Sequence, residues 1–334
     1  MYILFSLLLP AMVSAMTGGT TVESSSKYPF FVTLTDPILC GGSIISLDPP
    51  WILTAAHCIE NLEIHPNKYT VAYGNRDFSK QTYAAIQQAV SHPLYVSSQQ
   101  LQTQVYATDQ TDVIPYDIAL IKLKSPLVAN THVNRIPIST ASLNKEENPS
   151  TYKETIGMGY VGYEKPHADM LQYTPCNSSN VGTLRNSNFN HSIILATSDA
   201  GLCHGDSGSP LLSKSADTKE YYLDGVLNRI LNAYDPDPDN GSCPFHESNL
   251  TRFLNSFVKP SAHIKWIMNA TQLSFDALTD PVTSLDDGSV FAASSTSSAI
   301  ITTTASLFLR ASCFGVDWTL ATVLISSLLM IIYL

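Results

Sequence analysis

Three short stretches of this sequence carry residues that could perform nucleophilic chemistry. Gly205-Asp206-Ser207-Gly208 has the composition of a sharp turn that exposes one hydroxyl and aims backbone N–H groups into a cavity. Leu53-Thr54-Ala55-Ala56-His57-Cys58 ends an apolar strand with a histidine, whose ring can then be held in the fixed orientation that a general base needs. Tyr116-Asp117-Ile118-Ala119-Leu120 begins an apolar strand with an aspartate, so its carboxylate would be partly buried and would require a partner.

Each stretch also has a structural interpretation that involves no chemistry. Gly, Ser and Asp are common in turns between strands, and a single histidine beside an apolar strand is more often a hydrogen-bonded core residue. Asp117 could cap a strand or a turn, and Asp112, five residues earlier, is an alternative carboxylate. The remainder of the chain decides between these interpretations.

The composition argues against several classes of function. The chain has 334 residues, of which 14% are charged, and its formal net charge is −10. Because no basic patch stands out, we do not expect a nucleic-acid partner. The six cysteines include no Cys-x-x-Cys pair, so the sequence does not predict a zinc ribbon. Neither a metal ion nor a cofactor is expected.

Short strands separated by turns dominate residues 16–270. Runs such as 30–34, 51–54 and 118–123 are rich in apolar and β-branched residues and are bounded by turn-forming residues. This spacing predicts an all-β barrel or sandwich rather than β-α-β units. One helix is expected at 262–268, where the apolar residues share a face.

Hydrophobic segments lie at both ends of the sequence. Residues 1–15 have the apolar run and the small-residue cleavage pattern of a secretory signal peptide. Residues 271–312 are rich in Ser, Thr and Ala and predict a flexible stalk, either O-glycosylated or simply disordered. The hydrophobic tail, residues 313–334, favours a GPI-attachment signal, because its uncharged part is shorter than the roughly 20 residues of a spanning helix. A plain transmembrane anchor is the alternative, and either one places the protein at the extracellular face of the cell surface.

Secretion makes N-linked glycans and disulfide bonds possible. Sequons begin at Asn177, Asn190, Asn240 and Asn269, and these are the expected glycan acceptors. Asn249 also begins a sequon, but we expect it in a buried strand and therefore unmodified.

The three stretches together resemble the trypsin/chymotrypsin family of serine proteases. The matching motifs are Ala55-Ala56-His57-Cys58, Asp117-Ile118-Ala119-Leu120 and Gly205-Asp206-Ser207-Gly208, with Cys40-Gly41-Gly42-Ser43 as a further match. Their order, His then Asp then Ser, differs from the orders in α/β-hydrolases and subtilisins. The resemblance covers residues 16–270 and implies an all-β fold of two packed six-stranded antiparallel β-barrels with a C-terminal helix.

The resemblance also implies a role for each catalytic residue. Ser207 is the expected nucleophile, His57 its general base and Asp117 the carboxylate that orients the imidazole. The backbone N–H groups of Gly205 and Ser207 are expected to form the oxyanion hole. Polypeptide substrates are implied as partners, and protein protease inhibitors are further possible ones.

Activation is expected to begin at the end of the signal peptide. Mature chains of the family start with Ile-Val-Gly-Gly, and the new ammonium group pairs with the Asp just before the nucleophile. Met16-Thr17-Gly18-Gly19 takes that place here, directly after the signal peptide. We hypothesise that cleavage after Ala15 frees Met16, whose α-amino group then pairs with Asp206. Cleavage elsewhere and a different activation route are the alternative.

The expected specificity pocket differs from that of trypsin-like members. Gly201 stands six residues before the nucleophile, at the base of the pocket, where those members have an Asp. Cleavage after Lys or Arg is therefore not expected, unless a shifted loop brings Asp199 into the pocket. Asn228 and Ile230 align with one wall, which Ile230 narrows, and Ser248 aligns with the opposite wall. The resemblance thus implies a preference for small or medium apolar side chains.

The resemblance implies two disulfide bonds, Cys40–Cys58 beside the histidine and Cys203–Cys243 beside the pocket. Cys176 has no partner where the family places one, and it is unpaired if the C-terminal tail is removed at or before Cys313.

Two functions from different classes follow. The first is a serine endopeptidase that cleaves after apolar rather than basic residues. The alternative is a protease-like binding protein without turnover, which the departures at Asn228 and Arg229 keep open.

Overall fold

The fold is built from strands, as the sequence predicts. The computed structural model describes residues 19–36, 38–60, 62, 69–97, 116–140, 152–161, 167–177, 191–197, 200–215, 217–232 and 253–282. Several sequence-based predictions fall on residues outside these ranges. They are the signal peptide, most of the stalk, the C-terminal tail, Met16, Asp112, Asn190, Asp199, Asn240, Cys243, Ser248 and Asn249.

Six antiparallel strands form a closed barrel in the first half of the chain. They are β2 (Phe31–Thr35), β3 (Cys40–Leu47), β4 (Pro50–Thr54), β5 (Thr70–Tyr73), β6 (Thr82–Ser91) and β7 (Ala119–Leu123). Around the barrel their order is β2-β3-β4-β7-β6-β5. Every residue of β4 is buried, so the apolar run that precedes His57 forms a wall of the first core.

A seven-stranded sheet contains one short strand from the start of the chain and six strands from its second half. Its strands are β1 (Thr20–Thr21), β8 (Lys153–Gly157), β9 (Gln172–Asn177), β10 (Ser192–Thr197), β11 (Pro210–Lys214), β12 (Tyr221–Asn232) and β13 (Phe253–Val258). Their order is β1-β9-β10-β13-β12-β11-β8, and an additional pairing of β8 with β9 brings the sheet back onto itself. The short strand β1 is an addition to the six strands of this ring. The predicted all-β fold class is confirmed.

The helical elements follow the second sheet. A 3-10 turn at Pro260–His263 leads into α1 (Ile264–Thr271), and α2 (Phe275–Thr279) comes next. Two further 3-10 turns lie at His57–Ile59 and Phe78–Lys80. The Ser274 side chain caps α2 by accepting a hydrogen bond of 3.1 Å from the backbone of Ala277.

The structure describes residues 271–282, beyond residue 270, where the stalk was expected to begin. Leu278 on α2 is fully buried, and its carbonyl accepts a 2.8 Å hydrogen bond from Ile138 N–H. By contacts the chain divides into residues 1–287 and 288–334, and the second unit lies outside the described residues. Among the residues that the structure describes, no helix is both long and apolar enough to cross a membrane.

Four of the cysteines lie among the described residues: Cys40, Cys58, Cys176 and Cys203. Cys40 and Cys58 form a disulfide that ties the start of β3 to the turn after His57. Cys203 is also disulfide-bonded, but Cys243, its predicted partner, lies outside the described residues. Cys176 is a free, buried thiol, and burial raises its pKa to about 12.

Candidate active site

His57 and Asp117 contact each other through two hydrogen bonds. Asp117 Oδ2 lies 2.7 Å from His57 Nδ1, and Asp117 Oδ1 accepts a 2.9 Å hydrogen bond from the His57 backbone N–H. Pairing of β4 with β7 sets this geometry, because Thr54 lies opposite Ala119 at the ends of the two strands. The aspartate side chain is 2% exposed and the histidine side chain 30%. The carboxylate is therefore held inside the protein, while the imidazole reaches the surface.

The electrostatics of this pair favour a protonated imidazole. Burial alone would lower the pKa of His57, but the charge of Asp117, its hydrogen bond and the charge of Glu60 together raise that pKa. Asp117 can therefore both orient the ring and stabilise its charged form, as an aspartate must when a histidine takes up a proton.

The Ser207 turn packs against the end of β4. Gly208 has a φ of +80°, and a Cβ built on it would lie 2.3 Å from both Gly41 O and Thr54 Oγ1 and 3.2 Å from Ala55 N. The Ser207 carbonyl accepts a 2.7 Å hydrogen bond from Gly41 N–H. Only a residue without a side chain allows this approach. The turn with the candidate nucleophile is thereby brought to the stretch that leads into His57.

Three of the backbone N–H groups from Gly205 to Ser209 donate to backbone carbonyls. Those of Asp206 and Ser209 donate within the turn, to Cys203 O and Asp206 O at 3.0 and 2.9 Å. Gly208 donates to Leu227 O at 2.7 Å. Within the described part of the chain, the N–H groups of Gly205 and Ser207 have no such acceptor. These are the two donors that the sequence assigned to an oxyanion hole, and Gly205 has a φ of +89°.

Asp206 points away from the turn and into the protein. Its side chain is fully buried, Oδ1 accepts from Gly159 N–H at 2.8 Å, and Oδ2 accepts from Cys203 N–H at 3.0 Å. Burial raises the pKa of Asp206 to about 7, against the effect of the two hydrogen bonds. No cation among the described residues pairs with this carboxylate. Met16, its predicted partner, lies outside the described residues.

The candidate pocket residues lie on β12 and just before the Ser207 turn. Gly201 is buried. Asn228 is buried at a register shift between Leu227 and Arg229, where β12 pairs irregularly with β13. Ile230 packs against a small apolar cluster. The other members of that cluster are Cys176, Ile193, Ala200, Leu202, Leu211, Leu227 and Phe257.

Two of the predicted glycan acceptors are described. Asn177 is the last residue of β9. Asn269 is exposed on α1, so its side chain is accessible from solvent.

Comparisons with known proteins agree with the geometry. A family model described as Trypsin matches residues 16–239, which is more than half of the chain. The chain belongs to the trypsin family. It is accordingly a hydrolase of the serine endopeptidase class.

Individual relatives of this trypsin-family chain differ in length. Trypsin-4 of Rattus norvegicus is 29% identical over 208 residues, which cover 59% of this chain and 74% of that protein. Chymotrypsin-like elastase family member 1 of Homo sapiens is 24% identical over 288 residues, which cover 78% of this chain and 94% of that protein. Transmembrane protease serine 11G of Mus musculus is 27% identical over 200 residues, covering 57% of this chain and 43% of that protein. The chain thus spans less than half of the mouse relative.

Two residues beside His57, Glu60 and Tyr95, were not predicted from the sequence as parts of the site. Glu60 lies three positions after it, just beyond the 3-10 turn, and the Tyr95 hydroxyl donates a hydrogen bond to the Glu60 carboxylate. Burial, followed by the charge of Asp117, raises the pKa of Tyr95. The i, i+3 spacing of His57 and Glu60 was a signal that could have indicated a second carboxylate near the imidazole. Nothing in the sequence points to Tyr95.

One group of potential metal ligands lies at the same place. Ligand atoms of Cys40, His57 and Cys58 lie within 4.8 Å of one another, the one such group among the described residues. Both sulfur atoms belong to the disulfide, so neither can act as a thiolate ligand. This group therefore does not form a metal site.

Proposed function

We propose that this trypsin-family protein cleaves polypeptides with a catalytic triad of Ser207, His57 and Asp117. The observation that carries the proposal is the buried Asp117 carboxylate, both of whose oxygens contact His57, at 2.7 and 2.9 Å. A carboxylate placed this way fixes the orientation of the ring and its tautomer. A histidine on the protein surface has no such partner and is not fixed in this way.

The reaction would proceed through an acyl-enzyme. Ser207 Oγ attacks the peptide carbonyl while His57 accepts the hydroxyl proton, and the charged imidazole is stabilised by Asp117. The N–H groups of Gly205 and Ser207 donate to the developing oxyanion. Loss of one such donor typically raises the barrier by about 2.7–4 kcal/mol. His57 then protonates the leaving amine, and a water molecule releases the acyl group by the same steps in reverse.

We infer a preference for apolar side chains at the cleavage site. Gly201 brings no charge to the base of the pocket, and Ile230 packs against an apolar cluster that includes Ala200 and Leu202. An apolar surface of this kind would not compensate the desolvation of a Lys or Arg side chain. Cleavage of a peptide library should therefore be strongest after apolar residues, and a basic preference would contradict the inference.

We propose that activation pairs the α-amino group of Met16 with Asp206. The buried Asp206 carboxylate has two backbone donors, and its pKa of about 7 leaves room for an ammonium group to stabilise the ionised form. Because Asp206 lies within the turn between Gly205 and Ser207, this pair would hold the oxyanion donors in place. N-terminal sequencing of the secreted protein should find Met16 as the first residue.

We propose that the protein is secreted and tethered at the cell surface. The support is in the sequence alone: an apolar segment at residues 1–15, a Ser/Thr-rich stalk and a hydrophobic tail at 313–334. Release of the protein from cells by a phosphatidylinositol-specific phospholipase would support a GPI anchor over a transmembrane one. A shift in mass on glycosidase treatment would test the sequons, of which Asn269 is exposed.

A fluorophosphonate probe tests the catalytic proposal directly. Such a probe forms a covalent bond with an activated serine hydroxyl. The secreted protein should be labelled, and Ser207→Ala should abolish labelling. Ser209→Ala is the matched control, since it removes a neighbouring buried hydroxyl and should retain labelling. If correctly processed protein is not labelled, the binding protein without turnover becomes the better reading.

A further inference from the structure

His92 contacts the chain on both sides of Asp117. Its backbone N–H donates a 3.0 Å hydrogen bond to Ile118 O, directly after the aspartate. Its ring stacks on Tyr116, directly before the aspartate, with centroids 4.9 Å apart and planes 18° from parallel. The side chain is 8% exposed. One histidine therefore holds both neighbours of the candidate triad carboxylate.

Two more histidine rings, those of His263 and His191, pack against the rings of His92 and Tyr116. His263 lies 4.8 Å from the His92 ring and 5.5 Å from the Tyr116 ring. His191 lies 5.2 Å from His263 and 5.6 Å from Tyr116. Trp266 covers His92 at 4.9 Å. We call His92, His191, His263 and Tyr116 the histidine cluster.

The cluster joins three parts of the molecule. His92 follows β6 of the first barrel, and Tyr116 precedes β7. His191 precedes β10 of the second sheet, and its carbonyl accepts a 2.7 Å hydrogen bond from Lys259 N–H. His263 is the last residue of the turn before α1. The cluster therefore links the segment that carries Asp117 to the second sheet and to the turn before α1.

We propose that the histidine cluster positions Asp117, and that it does so only while the His92 ring is neutral. The inference rests on the proposed function, because it takes Asp117 as the triad carboxylate. His92, His191 and His263 are positioning residues in this proposal, since they act on the reaction through Asp117.

Hydrogen bonding requires a neutral His92. Its Nδ1 accepts a 3.2 Å hydrogen bond from the backbone N–H of Leu94. Protonation would place an N–H on Nδ1, and two donors would then face each other. Burial, and then the nearby His191, lower the pKa of His92. A buried imidazolium at His92 would thus lose the hydrogen bond from Leu94.

Among the described residues, the groups in contact with the His92 ring are other rings and a backbone N–H. The rings belong to Tyr116, His263 and Trp266, and none of them carries a carboxylate. The nearest carboxylate along the chain, Asp117, has both oxygens on His57. On the described parts of the second sheet and α1, the charged residues nearest to the cluster in sequence are the cations Lys259 and Lys265.

The sign of the pH dependence follows from the lowered pKa. The unfolded chain takes up a proton on His92 near its ordinary pKa of about 6.5. The native state takes it up only at lower pH, so the native state loses stability relative to the unfolded chain as the pH falls below that value. Acid should therefore loosen the Asp117 segment, in addition to any direct protonation of His57.

The first test measures thermal unfolding of the full secreted protein between about pH 7.5 and about pH 5. Wild type and the control His132→Phe, which alters an exposed histidine outside the cluster, should show the same drop in Tm. His92→Phe keeps a stacking ring but cannot be protonated, and its drop in Tm should be smaller by about 4 °C. His92→Gln, which also cannot be protonated and whose amide oxygen can accept a hydrogen bond in place of Nδ1, is the second variant if His92→Phe does not fold. Equal drops in all proteins would overturn the proposal.

The second test separates positioning from simple stabilisation. His92→Ala removes the stacking on Tyr116 and should lower kcat at about pH 7.5 on the order of tenfold, with little change in KM. His92→Phe should restore kcat at that pH and retain more of it at about pH 5.5 than wild type does, after normalisation to His132→Phe. A His92→Ala protein with a lowered Tm and unchanged kcat would show a structural role only and contradict the inference.

Failure of the proposed function would look different. In that case wild type would not be labelled by a fluorophosphonate probe at any pH, whereas the Tm comparison would still report whether the cluster titrates. A labelled wild type with no effect of His92→Ala on kcat would leave the proposed function standing and remove only this inference.

Discussion

The first barrel and the second sheet hold their halves of the active site in different ways. His57 and Asp117 of the first barrel are fixed by hydrogen bonds between their own polar groups, at 2.7 and 2.9 Å. The Ser207 turn of the second half is fixed by backbone hydrogen bonds and by the absence of side chains at Gly205 and Gly208, whose φ angles are +89° and +80°.

This difference predicts two kinds of sensitivity. In the first barrel, a substitution that changes the chemistry of a side chain but keeps its shape should reduce activity most, because a charge and a lone pair on Asp117 orient His57. In the second sheet, a substitution that changes the shape of a residue without adding a polar group should reduce activity most, because backbone groups hold the Ser207 turn in place. The two halves meet where Gly208 approaches Gly41 and Thr54.

The largest expected effect is on the chemistry of the first barrel. Asp117→Asn keeps the shape but removes the charge that raises the pKa of His57. We expect kcat to fall by about 10⁴-fold at neutral pH, measured on a fluorogenic peptide, because the amide favours the wrong imidazole tautomer. The acid limb of the kcat profile, where protonated His57 cannot accept a proton, should move to lower pH.

Asp224→Asn is the matched control for that variant. Asp224 is also a buried aspartate, which pairs with Lys153 and accepts a 3.0 Å hydrogen bond from Ser213 Oγ. Its substitution should lower Tm without a loss of kcat. Comparable losses of kcat in both variants would mean that stability, not orientation of His57, explains the effect.

A shape change on the second sheet should have the next largest effect. In Gly208→Ala the new Cβ would lie 2.3 Å from Gly41 O and Thr54 Oγ1, so the turn must move away from β4. We expect kcat/KM to fall by about 10²-fold, because small displacements of reacting groups are costly. Gly74→Ala is the control: its φ is +81°, but its nearest contact is Val133 at 3.4 Å. It should cost about 1 kcal/mol of stability and leave kcat/KM unchanged.

The smallest effect concerns the buried carboxylate that follows Gly205. Burial raises the pKa of Asp206 to about 7, so its ionised form destabilises the fold as the pH rises through the interval between its unfolded and folded values. A Met16 ammonium would offset this cost. Near pH 7, the Tm of a chain that starts at Met16 should therefore be about 3 °C higher than the Tm of a chain with one extra N-terminal residue. The gap should close at low pH, once Asp206 has taken up its proton, and at alkaline pH, once the paired amine has lost its proton. A gap that does not vary with pH would refute the pairing.

Several features were predictable from adjacent residues. The all-β class follows from short apolar runs between turn residues, and the disulfide-bonded Cys58 was expected beside His57. The helix after residue 262 follows from its apolar face, and α1 begins at Ile264. Ile230 packs against an apolar cluster, but that it narrows a substrate pocket stays a prediction. The short helix α2 was not predicted, because Leu278 on it is buried and bonded to a distant part of the chain, at Ile138.

The sequence by itself determined which residues can do chemistry: a hydroxyl between two glycines, an imidazole at the end of a buried strand, and an aspartate at the start of another. Glycine dihedrals, strand periodicity and turn composition are local properties, so they can be read from neighbouring residues. Only the tertiary structure decided that Asp117 turns both oxygens to a histidine 60 positions away, and that His92, His191 and His263 meet around Tyr116. Those contacts depend on the register of β4 with β7 and on the packing of the second sheet and α1 against the first barrel, which no local pattern specifies.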